Sequence, residues 1–97
     1  MKATPYFRQK TTDEDGNLIG MVVWKVPTGP KHPEGVRYRL AFIPAGHKSP
    51  VVLYDNHHPK GHHKHIGRKE LPYDFSNIRQ LMLDFNNDVE AWKRLKG

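Results

Sequence analysis

Between Val36 and Ile43 apolar and polar positions alternate with a period of two. Val36, Tyr38, Leu40 and Phe42 fall on one side, and Arg37, Arg39 and Ala41 on the other, because successive strand residues point to opposite faces. The pattern predicts a strand whose apolar row packs inward. Leu18 to Val26 predicts a second. Val22, Trp24 and Val26 share one face, with Met21 and Val23 on the other, so both faces are partly apolar and the strand belongs inside a sheet. Ala3 to Thr12, carrying Tyr6 and Phe7, reads as the strand before it, and as an exposed edge open to pairing. The turn between them is Asp13-Glu14-Asp15-Gly16-Asn17, where Gly supplies the positive φ of a tight reversal.

Pro27 to Gly35 holds three prolines and two glycines and is a loop. Val51 to Tyr54 predicts the fourth strand. It follows a turn over Pro44 to Ser49 and starts after Pro50, which cannot donate a ladder hydrogen bond. Further on, Ile78, Leu81, Met82, Phe85, Val89 and Trp92 recur at helical spacing on one face. Asp74 or Ser76 is the expected cap, and Lys93, Arg94 and Lys96 complement the dipole at the carboxyl end. The expected architecture is α+β, a four-stranded antiparallel meander sheet packed by one long C-terminal helix. A chain of 97 residues makes one domain, residues 1–97.

Charge sharpens the picture. Lys and Arg number 16 against 10 acidic residues, a net charge of +6, which favours an anionic partner, nucleic acid foremost. The absence of cysteine excludes disulfides and thiolate zinc sites and fits a cytoplasmic home. The first residues, MKATPYFRQK, lack the apolar core of a secretory signal. No apolar run approaches the roughly 20 residues of a membrane-spanning helix, so no membrane partner is expected.

Candidate chemistry concentrates in Asp55-Asn56-His57-His58-Pro59-Lys60-Gly61-His62-His63-Lys64-His65, which holds five of the seven histidines. After Asp55 no acidic residue appears until Glu70, while Lys60, Lys64, Arg68 and Lys69 lie between. So many imidazoles beside so many cations point to an electron-rich guest: a phosphate backbone, a metal ion, or both. His32 and His47 lie in other loops and read as surface residues.

The segment from Tyr54 to about Trp92, with YDN, then HHKH, then an amphipathic helix, resembles the TumE-like toxins of prokaryotic toxin–antitoxin modules. That signature is a strand ending in Asp-Asn, a variable loop and a His-His-x-His cluster, matched here by Asp55, Asn56, His62, His63 and His65. The extra pair His57-His58 departs from it, and the N-terminal half carries no distinctive match. The resemblance implies a small cytoplasmic single-domain toxin, acting on RNA, and an antitoxin partner with a helix-turn-helix domain.

RNA cleavage without a metal needs a base for the 2′-hydroxyl proton and an acid for the leaving oxygen. Histidine serves both, since its reference pKa of about 6.5 lies near working pH. If the segment is extended, His63 and His65 share a side and form the expected acid–base pair. His62 then faces elsewhere, as a structural ring or one bonded to Asp55. Asp55 is expected to orient a ring and Asn56 to fix the loop. Lys64 or Arg68 is expected to hold phosphate, supported by Lys60. Arg37 and Arg39 are either ordinary solvent-facing residues or a phosphate-facing stripe beside the histidines. No cofactor is required on this reading. The alternatives are a non-catalytic basic nucleic-acid-binding module, with Tyr38, Tyr54 and Tyr73 stacking on bases, and a His-rich domain holding a divalent metal at His57, His62, His63 or His65.

Overall fold

In a computed structural model that describes residues 4–96, the chain forms six strands and one helix. The strands are β1 (Thr4–Thr12), β2 (Leu18–Lys25), β3 (Val36–Ile43), β4 (Val52–Asp55), β5 (His63–Ile66) and β6 (Lys69–Pro72), and the helix is α1 (Ile78–Lys96). They make one antiparallel sheet in sequence order, β1 to β6. Ala3 and the side chain of Lys96 lie outside the described residues.

The class is the predicted α+β meander with its C-terminal helix, but the sheet has six strands rather than four. The extra pair comes from the histidine segment and the residues after it. His63-Lys64-His65-Ile66 pairs with β4, then reverses through Gly67-Arg68 into β6. Gly67, at φ 62°, takes the first central position of this two-residue turn, where an L side chain is disfavoured. Apolar alternation cannot reveal such a hairpin. It lies at the sheet's end, and neither of its faces carries the run of apolar residues on which a periodicity argument depends.

The register sorts the side chains into two faces. Val23 lies beside Tyr38, Leu40 beside Tyr54, and Phe42 beside Val52. These six are buried together with Leu81, Phe85 and Val89 of α1. Tyr54 meets Phe85 edge-on at 5.7 Å between ring centroids, and Phe42 meets Trp92 at 5.5 Å. Each large apolar side chain contributes roughly 1.5–3 kcal/mol by leaving water. Polar bonds complete the junction. Tyr54 donates its hydroxyl to Asp88, whose carboxylate also lies 3.1 Å from Lys64 Nζ. Tyr73 donates to Asp84 at 2.6 Å. Burial first, then these carboxylates, push both phenols above their ordinary value, so they act as donors. Among the described residues no helix covers the opposite face.

Two local details differ from expectation. The helix is capped by Asn77, not by Asp74 or Ser76: Asn77 Oδ1 accepts the Gln80 amide at 2.8 Å. β1 is the edge, as read, and bears an irregularity between Pro5 and Phe7. The turn after β1 is tied internally. Asp13 accepts from the Asn17 amide at 3.0 Å and from its side chain at 3.0 Å, and Lys93 lies 3.3 Å away. Among the described residues no helix is long and apolar enough to cross a membrane.

Phe85→Ala is expected to lower unfolding free energy by about 3–5 kcal/mol, measured by denaturant titration. Hydrogen bonds from the Asn17 side chain and amide hold the Asp13 carboxyl at about 2, below its ordinary 3.8. A depressed carboxyl stabilises above its unfolded value and loses that effect as pH falls through the folded one. Stability should therefore drop between about pH 4 and pH 2, and Asp13→Ala should flatten that part of the curve.

Candidate active site on the open face

β4 ends at Asp55, and the next residue fixes how the chain leaves the sheet. Asn56 is buried. Its Oδ1 accepts the Tyr38 amide at 2.9 Å, and its Nδ2 donates to the Val36 carbonyl at 2.8 Å. The carboxamide thus continues the ladder to β3 after the main chain has turned away. Asp55 Oδ1 accepts the His57 amide at 2.5 Å, and the Gly61 amide bonds the His57 carbonyl at 3.1 Å, which closes the loop before β5.

β5 then divides the cluster by alternation. His63 and His65 project from the open face, with ring centroids 5.1 Å apart and planes at 78°. His63 is largely buried, and its Nδ1 lies 2.8 Å from the Gly61 carbonyl. A carbonyl only accepts, so Nδ1 carries the proton and Nε2 is left as the ring's basic nitrogen. His65 Nε2 lies 3.6 Å from Glu70 Oε1, and the same oxygen accepts from Lys60 Nζ at 2.8 Å. Lys60 first, then the histidines, holds the Glu70 carboxyl below its ordinary value. Glu70 therefore stays ionised beside His65.

The open face continues with cations. Arg39 lies opposite Asp55, which lies opposite His63, making one row across three strands. Arg37, two residues earlier, shares that face and is exposed. Trp24, Arg37, Arg39, Asp55 and His57 line a hollow of about 120 Å³ there.

Other expected members lie elsewhere. His62 precedes the strand and points away from the pair. Its Nδ1 is 2.8 Å from the Tyr38 hydroxyl, its Nε2 is 3.0 Å from Glu34, and its ring stacks on Phe75 at 4.8 Å. Its partners are thus Glu34 and Tyr38, not Asp55. Asp55 bonds the His57 amide and has no bond to an imidazole among the described residues. Lys64 faces the helix and is engaged by Asp88, on the other side of the sheet from His63. Arg68 sits exposed in the β5–β6 turn. Tyr38 and Tyr54 are buried in the core, closed to stacking on bases. His47 is exposed, whereas His32 is half-buried with Nδ1 enclosed and without a partner. Burial first, then Arg37, disfavours its charged form.

Glu70 is the group that residue clustering missed. Its signal was Gly67-Arg68: reading those two as a hairpin turn sets Glu70 opposite His65. For a metal, no three His, Asp or Glu side chains converge among the described residues, since His62 is separated from His63 and His65 by the sheet.

The family model described as Toxin TumE matches residues 2–93. The chain belongs to that family, as the toxin of a toxin–antitoxin pair whose partner is an antitoxin. No curated protein and no solved structure matches it.

Asn56→Ala leaves the Tyr38 amide and the Val36 carbonyl without partners, two unmet groups at the root of the site. The expected loss is about 1–3 kcal/mol in denaturant unfolding. Hydrogen exchange should speed up most at the Tyr38 amide.

Proposed function

We propose that this member of the TumE toxin family is an endoribonuclease that uses His63 and His65 as base and acid. The pair on one face of the sheet, 5.1 Å apart, is the observation that carries the reading. His63 acts as the base, because its Nδ1 proton is committed to the Gly61 carbonyl and Nε2 is free to accept. It removes the 2′-hydroxyl proton, and the 2′-oxygen attacks the adjoining phosphorus. His65 acts as the acid, the second ring of the pair, with Glu70 Oε1 3.6 Å from its Nε2. It protonates the 5′-oxygen as the P–O bond breaks, leaving a 2′,3′-cyclic phosphate and a 5′-hydroxyl.

Arg39 and Arg37 lie on the same face and supply the positive charge that the phosphorane-like transition state needs. Lys60 acts through Glu70, which it holds in place. The cellular target is RNA in the cytoplasm. The antitoxin is a helix-turn-helix protein, as the family signature implies.

His63→Ala and His65→Ala should each slow RNA cleavage by about 10²–10⁴-fold, the usual worth of a positioned acid or base. Glu70→Ala should lower the rate by less. Wild-type cleavage should follow a bell-shaped pH curve and continue in excess chelator. Unchanged cleavage by both histidine variants, or complete loss in chelator with recovery on adding one metal, sinks the mechanism.

A further inference from the structure

Gly20 stands in the middle of β2, yet nothing in the fold requires glycine there. Its φ lies outside the left-handed region, and an added Cβ would meet no atom within 4 Å. Glycine inside a strand weakens it through extra chain freedom, and often marks a place where a ligand approaches the backbone closely. On the open face Gly20 lies beside Ala41, and the same row continues through Leu53 to His65. Gly20 and Ala41 form the floor of a groove of about 250 Å³. Val22 and Ile43 supply apolar walls, and Arg8, Lys10 and Arg39 contribute the cations. Among the described residues no acidic one lines it. Among the described residues Arg8, Lys10, Arg37 and Arg39 have no ion-pair partner.

We propose that this groove holds an unpaired base of single-stranded RNA, a short stretch of the strand away from the phosphate cleaved between His63 and His65. The inference rests on the ribonuclease reading and adds the form of the substrate. An apolar floor suits the face of a base, and a cationic rim suits its flanking phosphates. Arg39 serves both places, because it borders the groove and also lies in the row that ends at His63. Adjacent strands lie about 4.8 Å apart, so Gly20 and His65 are roughly 14 Å apart across the sheet, within the span of a short oligonucleotide. A duplex is excluded from the floor, since its bases are paired and its deep groove is too narrow for a protein surface to enter.

The test is binding of a labelled single-stranded 2′-O-methyl oligonucleotide of mixed sequence. Such a strand lacks the attacking hydroxyl and stays intact. Fluorescence anisotropy at low salt compares the wild-type protein with Gly20→Ala and Gly20→Val. A Cβ at this position meets no atom within 4 Å, and valine suits a strand, so unfolding stability should not fall. The expected result is binding weaker by about tenfold or more for Gly20→Val, the scale of one base contact. Gly20→Ala should fall between, and the matching duplex should bind all three proteins equally weakly. Equal single-strand affinity in all three proteins overturns the groove, as does a wild type that does not bind the strand. If natural RNA is cleaved while Gly20→Val binds like wild type, the groove fails and the ribonuclease stands. If Gly20→Val loses binding while wild type leaves RNA intact, the catalytic reading fails and the groove remains a single-strand site.

Discussion

The pairing register between β4 and β5 decides what the histidine cluster can do. Tyr54 lies opposite Lys64, and Asp55 opposite His63. A slip of one residue would exchange the faces, turning both His63 and His65 toward the helix and Lys64 toward solvent. The register is held from the helix side. Asp88 accepts the Tyr54 hydroxyl and pairs with Lys64, so two neighbouring strands share one anchor on α1. Asn56 then holds the end of β4 against β3 through two main-chain bonds. The open-face pair thus depends on contacts made on the opposite side of the sheet.

This arrangement divides polar groups by task. A polar atom taken from water must find a partner, and one that has found a good partner is a poor reagent. On the helix side Tyr38, Tyr54, Tyr73, His62 and Lys64 are each engaged by a named group. Burial pushes the Tyr38 hydroxyl above its ordinary value, so it too stays protonated. His63 stands between the two situations. Its Nδ1 is committed and its ring held by the fold, while its second nitrogen is not. That half-satisfied state combines fixed orientation with chemical freedom, which a ring loose in solvent does not offer.

Sequence pattern revealed the parts of this fold that depend on apolar burial. The alternation at Val36–Ile43 and the helical spacing from Ile78 to Trp92 mark the surfaces that pack together, and they did so in the structure. It was blind where burial is weak. β5 and β6 are short and largely hydrophilic, and no periodicity argument separates such an edge hairpin from a loop. The cap moved for a related reason: Asp74, Ser76 and Asn77 are all competent, and only the chain's path selects Asn77. The placing of His63 and His65 on one side needed only the period of two once extension was granted. The companions of His62 required tertiary knowledge, because Glu34 and Phe75 are far from it in the chain.

The open face also explains why one helix suffices. A second layer would have to take the guanidinium groups of Arg8, Arg37 and Arg39 out of water, and burying unpaired charge is expensive. An antiparallel sheet tolerates water on one side, so the uncovered face is a stable arrangement. Such a face still keeps its half-buried apolar side chains, Val22, Trp24 and Leu53, next to exposed cations. Its only carboxylates on β3 to β6 are Asp55, bound to the His57 amide, and Glu70, shared by Lys60 and His65. Neither pairs with an arginine. A guest carrying phosphates and flat apolar rings satisfies both sets of groups at once, whereas an acidic peptide without rings would satisfy only the cations.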